Sequence, residues 1–201
     1  LSVLLTNIQL MRYKGSEIFT YTIAKALRDR SHNVTIYSKY LGKFASLFGA
    51  IGAEVTDDLN NIKMKNFDIA HIHHNINAIE VRKCFPTLPM IYLSHGVIPF
   101  LEHPPLIDLS ISKYLAVSEE VLDNLYRLNI PKNKAAIFRN MIDPALFYER
   151  FPVNTTPKNA LILSNKIDRK TYHIINNTCK HLEINLDIVG GDNNFAHQSQ
   201  L

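Results

Sequence analysis

The amino terminus places the tightest constraint on the fold. An apolar run at residues 1–6 leads to Lys14, Gly15, Ser16 and Glu17. Phe19, Ile23, Ala24 and Leu27 then repeat at helical spacing, and an apolar run returns at 33–37. Strand, glycine-bearing loop, helix, strand is the order of a right-handed crossover unit, which opens a parallel sheet. Open α/β sheets bind ligands beyond the carboxyl ends of their strands, where this loop falls. A glycine there lets backbone approach a phosphate, and a helix N-terminus behind it favours negative charge.

The same alternation continues. Strand candidates fall at 3–6, 33–37, 54–55, 69–72, 90–93, 114–117 and 135–138. Most are short, continuous apolar runs, the pattern of strands buried on both faces, so the sequence predicts an α/β parallel sheet covered by helices. One helix is expected at 40–51, ended by Gly52. Another carries Val121, Leu122, Leu125 and Leu128 behind the cap-like Ser118, with Glu119 and Glu120 in its first turn. Residues 152–159, polar and holding Pro152 and Pro157, read as a linker between a domain at 1–151 and a second unit at 160–201. That unit reads as strand 160–163, a helix at 172–182 with Tyr172, Ile175, Cys179 and Leu182 on one face, and strand 186–189. One β-α-β unit is too small to bury a core alone. An unpaired apolar edge at 161–163 or 186–189 would invite self-association.

Composition narrows the function classes. Of 201 residues, 46% are hydrophobic and 20% charged, as in ordinary globular proteins, and no apolar run reaches the roughly 18 residues that span a bilayer. A net charge of +4 suits anionic substrates or an anionic membrane surface and does not call for nucleic acid. Cys84 and Cys179 lack metal-type spacing and read as reduced thiols of a cytoplasmic protein. In the expected helix at 40–51, Leu41, Phe44, Leu47, Phe48 and Ile51 follow helical spacing beside Lys39 and Lys43. Such a face can dock peripherally on a membrane or hold a lipid-linked acceptor, or simply pack on the sheet.

Five segments carry candidate chemistry. Gly15 and Ser16 offer backbone N–H groups, although Ser16 is equally a helix cap and Gly15 a turn residue. His71, His73, His74 and Asn75 close the strand at 69–72. A metal site is one reading, but His71 and His73 share a strand face that His74 does not, and no Asp, Glu or Cys completes a ligand set. Ser94, His95 and Gly96 follow the strand at 90–93. Asn140, Asp143 and Phe147 follow the strand at 135–138, and Asn165, Lys166, Arg169 and Lys170 follow that at 160–163.

Together these segments resemble the retaining GT-B glycosyltransferases of family 4. The resemblance rests on Gly15-Ser16-Glu17, on the Asp68-to-Asn75 strand end, on Ser94-His95-Gly96, and on Val117-Ser118 followed by Asn140, Asp143 and Phe147. It implies a Rossmann-like acceptor-side domain, then the opening of a second Rossmann-like, donor-binding domain. It implies transfer of a hexose from a nucleotide diphosphate sugar to a saccharide or lipid-linked acceptor, with neither cofactor nor metal. By this resemblance His95 faces the donor sugar as the catalytic candidate. Gly15, Ser16, Glu17, His73, His74, Asn75 and Asn140 contact substrate, and Lys166 and Lys170 meet the diphosphate. Three features depart from the family pattern: one of two loop glycines is Lys14, the residue after Asn140 is Met141, and Asn165 stands near the position of the family's Arg. The family's acidic Glu-x7-Glu motif does not occur in these residues, so this stretch is expected to fold without catalysing. A sugar-nucleotide epimerase of the same architecture and a non-catalytic sugar-binding or scaffold domain are the alternatives. A nicotinamide-binding enzyme is disfavoured, because no G-x-G-x-x-G follows the first strand.

Overall fold

The structure, a computed structural model, describes residues 1–99, 102–105, 107–142, 155–164 and 167–190. The chain divides into two compact units, Leu1–Phe147 and Tyr148–Leu201. In the first, seven strands form one sheet: β1 (Ser2–Leu10), β2 (Asn33–Leu41), β3 (Glu54–Thr56), β4 (Ile69–Ile72), β5 (Met90–Ser94), β6 (Lys113–Ala116) and β7 (Ala135–Ile137). Their order is β3-β2-β1-β4-β5-β6-β7, with every neighbouring pair parallel. The chain starts mid-sheet, winds outward to β3, then returns to β4 beside β1. That reversal opens a crevice at the carboxyl ends of β1 and β4, the topological switch point of such sheets.

Among the described residues four α-helices cover this sheet: α1 (Gly15–Arg28), α2 (Ser46–Ala50), α3 (Asn75–Cys84) and α4 (Glu119–Arg127). Successive strand residues point to opposite faces, so the two neighbours Leu4 and Leu5 serve two cores. Leu5 and Ile36 pack with Ala24 of α1 and with Phe44 and Phe48. Leu4, Ala70, Ile72 and Tyr92 pack with Ala78 and Val81 of α3 and Val121 and Leu125 of α4. Ser118 caps α4 as its sequence predicts, its Oγ accepting from Val121 N at 3.3 Å.

The expected helix at 40–51 is not formed as one element. The β1–β2 ladder continues to Gln9↔Tyr40 and Leu10↔Leu41, so β2 consumes the first two residues. Backbone pairing needs no apolar run, and the buried Leu10 anchors the extension. Gly42 then packs against Met11, where a Cβ would lie 2.8 Å from the Met11 Cα. A 3-10 turn at Lys43–Ala45 and the short α2 follow. Phe44 and Phe48 enter the core, Leu47 and Ile51 are half-buried, and Leu41 alone of the five is exposed. The continuous apolar face, and with it the membrane contact argued from that helix, loses its basis. Among the described residues no helix is long and apolar enough to cross a membrane. Helix α3, by contrast, gives no periodic signal, because Asn75 and Asn77 stand where an amphipathic face would be apolar.

The second unit pairs β8 (Asn159–Leu163) with β9 (Asn185–Val189) in parallel around α5 (Arg169–His181). Asp168 caps α5, its Oδ1 accepting from Thr171 N at 2.9 Å. Tyr172 and Cys179 are buried under α5 and Ile175 is half-buried, but Leu182 falls beyond the helix end and is exposed. Both strands alternate half-buried and exposed residues. Leu161, Leu163 and Val189 are 59%, 74% and 57% exposed, which leaves one sheet face uncovered among the described residues. Asp143, Phe147, Asn165, Lys166, residues 152–154 of the expected linker and Gly191 lie outside the described residues.

Candidate functional site

Four of the sequence-derived candidates meet in one cleft. Gly15, Ser16, His95 and Asn140 line it with Ile18, Phe19, Thr22, Glu102 and Met141, around a volume of about 410 Å³. It sits at the carboxyl end of the sheet, over the first turn of α1. That helix begins without a side-chain cap on Lys14, so its leading amides have no side-chain acceptor. Nothing lies within 4 Å of where a Cβ on Gly15 would stand, so the protein itself does not demand glycine there. The Ser16 hydroxyl donates to Glu17 Oε2 at 2.9 Å. Glu17 is fully buried, and its Oε1 has no hydrogen-bond partner.

The loop after β5 forms the opposite wall. Ser94 Oγ donates to the Glu102 carbonyl at 2.8 Å, and Tyr92 Oη donates to the His103 carbonyl at 3.0 Å. These bonds fold the proline-rich loop back so that the Glu102 side chain reaches the cleft. Burial raises the pKa of Glu102, with the His95 backbone N–H opposing it, and its Oε2 is unpartnered. Glu102 lies in a stretch without periodicity, and no sequence signal pointed to it.

The histidines do not share one environment. His73 is completely buried. Its Nδ1 lies 3.1 Å from Thr20 Oγ1 and 3.3 Å from His95 Nε2, and its Nε2 lies 3.0 Å from His71 Nδ1. Phe19 meets the His73 and His95 rings edge-on, with centroids 5.7 and 5.2 Å away. Desolvation pushes His71, His74 and His95 down to about 4, and neighbouring imidazoles add repulsion at His71 and His95. His73 is lowered by the same burial, then by His71, His95 and His74. The four are therefore neutral imidazoles near pH 7. Among the described residues no group of three His, Cys, Asp or Glu could hold a metal ion.

His73 and His74 were expected to contact substrate. Both are buried, and neither lines the cleft; His74 stands at the N-cap of α3 and Asn75 opens that helix. Lys170 lies exposed in the first turn of α5, in the second unit. Below the cleft, His71 borders an apolar groove of about 460 Å³ with Ile69, Ile91 and Leu115.

No protein-family model matches the sequence, and no curated protein sequence does. Solved structures do. HepE from Anabaena, solved in complex with UDP, superposes at a TM-score of 0.66 with 13% identity, over 96% of this chain and 70% of that one. A glycosyltransferase from Rickettsia africae superposes at 0.64 with 17% identity, over 98% and 70%. The lipopolysaccharide outer core galactosyltransferase WaaB, in its apo form, gives 0.56 with 10% identity, over 100% and 71%. A seven-stranded parallel sheet with its switch point between β1 and β4, a second β-α-β unit, and these superpositions identify the fold of the chain as that of the GT-B glycosyltransferases, over about 70% of their length.

Proposed function

We propose that the protein is a retaining glycosyltransferase of family 4. It would move a hexose from a nucleotide diphosphate sugar to a saccharide or lipid-linked acceptor. The observation that carries this reading is the cleft in which the uncapped α1 amides, His95 and Asn140 converge. Amides of a helix N-terminus bind anionic or hydroxyl oxygens. A neutral imidazole and a carboxamide add hydrogen bonds for a polar, largely uncharged ligand such as a sugar. Among the described residues of the lining, Glu102 is the one acidic side chain and none is lysine or arginine. The cleft thus suits sugar hydroxyls better than a bare diphosphate. Full positive charge for the leaving diphosphate falls to basic residues outside it, for which Lys166 and Lys170 are the candidates. His95 serves by hydrogen-bonding the reacting sugar, and Gly15, Ser16 and Asn140 position it. Glu17, His73, His74 and Asn75 support these groups from behind.

The test, made with the full-length protein, is calorimetry with UDP-glucose and other nucleotide sugars, followed by a transfer assay whose product is read for anomeric configuration. Binding of a nucleotide sugar that Ser16→Pro and His95→Ala weaken, with retention in the product, supports the reading. No binding of any nucleotide sugar overturns it in favour of a scaffold role. An epimerised donor overturns it in favour of an epimerase.

A further inference from the structure

Thr20 fixes where the protons sit along the imidazole chain. Its Oγ1 lies 2.8 Å from the Ser16 carbonyl oxygen, 2.9 Å from Asn7 Nδ2 and 3.1 Å from His73 Nδ1. Two oxygens at 2.8 Å repel unless a hydrogen lies between them. The carbonyl can only accept, so the single hydroxyl hydrogen of Thr20 points at Ser16. The two remaining lone pairs face Asn7 and His73. The Asn7 amide is oriented independently, because its Oδ1 faces the Gln9 backbone N–H at 3.4 Å. Its NH₂ therefore donates to Thr20, and His73 Nδ1 must carry a proton to do the same.

The rest follows by exclusion. His73 is neutral, so protonation of Nδ1 leaves Nε2 as an acceptor, and His71 Nδ1 at 3.0 Å must donate to it. The same His73 N–H faces His95 Nε2 at 3.3 Å. Two N–H groups cannot point at each other, so His95 Nε2 is bare and the His95 proton sits on Nδ1. That Nδ1 makes no hydrogen bond to any described residue, and His95 lines the cleft. Phe19, wedged edge-on against both rings, opposes a ring flip that would exchange the two nitrogens.

We propose that Thr20 and His73 are positioning residues that lock His95 in the Nδ1–H tautomer, so that His95 offers the cleft a hydrogen-bond donor and not a base. The ligand atom it suits is an oxygen acceptor of a sugar. Only that last assignment rests on the proposed function; the proton positions stand without it. The lock has a chemical consequence. An imidazole whose only lone pair is held by a buried N–H does not deprotonate an acceptor hydroxyl, so His95 acts by orienting and polarising.

The test is a long-range ¹H–¹⁵N correlation spectrum of ¹⁵N-histidine-labelled protein near neutral pH, which separates the two tautomers by their nitrogen shifts. The wild type should show His71, His73 and His95 all as Nδ1–H, the tautomer that free histidine in water disfavours. Thr20→Val keeps the side-chain shape and removes the acceptor, and should release His73 and His95 toward Nε2–H. Thr20→Ser should restore the wild-type pattern. If Thr20→Val does not fold, His73→Phe is read at His95 alone, with the same release expected. Nε2–H at His73 or His95 in the wild type overturns the proposal, as does an unchanged His95 signal in the variant that folds. Failure to bind any nucleotide sugar counts against the proposed function and leaves this result untouched.

Discussion

Acid should destabilise the first unit far more than an ordinary domain of its size. The perturbation is a drop from about pH 7.5 to about pH 5.5, within the range where unfolded histidines protonate. His71, His74 and His95 have folded pKa values near 4, and His73 is also well below the ordinary value. A base whose pKa falls on folding contributes stability that is complete above its unfolded value. It is lost as pH falls from about 6.5 toward the folded value, because the unfolded chain then binds protons that the folded chain refuses. For one imidazole the loss at pH 5.5 is about RT ln(1 + 10), roughly 1.3 kcal/mol once the small terms at pH 7.5 and for the folded state are subtracted. Four such groups give a ceiling of roughly 5 kcal/mol, the whole stability of a marginal domain. Glu102 works in the opposite sense, since its raised pKa lets the folded protein take up a proton before the unfolded chain does.

The assay is urea unfolding followed by circular dichroism at both pH values. With a slope of about 2 kcal/mol per molar urea, the midpoint should fall by roughly 2 M. Replacing His71 and His74 together by leucine removes two of the four groups and should roughly halve the shift, whatever it does to the midpoint at pH 7.5. A wild-type midpoint that moves by less than about 0.5 M would refute the reasoning. It would mean that the buried rings accept protons in the folded state.

Other outcomes are open to direct measurement. In the full-length protein His95→Ala should lower kcat about 100-fold while donor KM stays within about threefold, because the lost bond acts mainly in the transition state; an unchanged kcat removes His95 from the mechanism. Gly15→Ala should leave the thermal midpoint within a few degrees, since the added Cβ meets no protein atom, yet weaken a ligand held on the α1 amides. Equal ligand affinity by calorimetry would show that no ligand approaches there. Transfer activity of the full-length protein should survive a chelator; activity abolished by it and restored by a divalent ion would reopen the question of a metal. Leu161→Glu with Leu163→Lys should reduce self-association in sedimentation runs, because both side chains stand on the uncovered face of the β8–β9 sheet; an identical sedimentation profile would clear that face.

How much of this was legible in the residues depended on what each signal measures. Strand positions were readable where burial was two-sided. The run Ile69 to Ile72 is unbroken apolar save one histidine, and β4 falls there. Strand length was not readable, because the β1–β2 ladder is held by backbone bonds through Asn7, Gln9 and Tyr40, which carry no apolar signal. The same blindness produced the false helix at 40–51. Leu41, Phe44, Leu47, Phe48 and Ile51 do keep helical spacing, but Gly42 is needed where two backbones touch, and a close approach leaves no mark on periodicity. Gly15, Ser16, His95 and Asn140 were recoverable because strand-end positions converge in any parallel sheet. Glu102 was not, since its place depends on Ser94 and Tyr92 holding a loop by its carbonyls.

The histidine-rich strand end shows where pattern and physics part. Three histidines within four residues suggest a metal to a reader of spacing. In the folded protein two of them are spent on each other, and the third stands at the N-cap of α3 with its Nδ1 unpartnered. Burial decides this outcome. A cation site needs lone pairs aimed at one point from an open shell, whereas here the His73 ring sits wholly inside the protein with both nitrogens engaged by neighbours. The cost of burying neutral imidazoles is small next to that of burying charged ones, so the chain can line the back of its cleft with rings that hydrogen-bond but stay uncharged. A floor built in that way holds its hydrogen-bonding groups in fixed directions and adds no positive charge of its own.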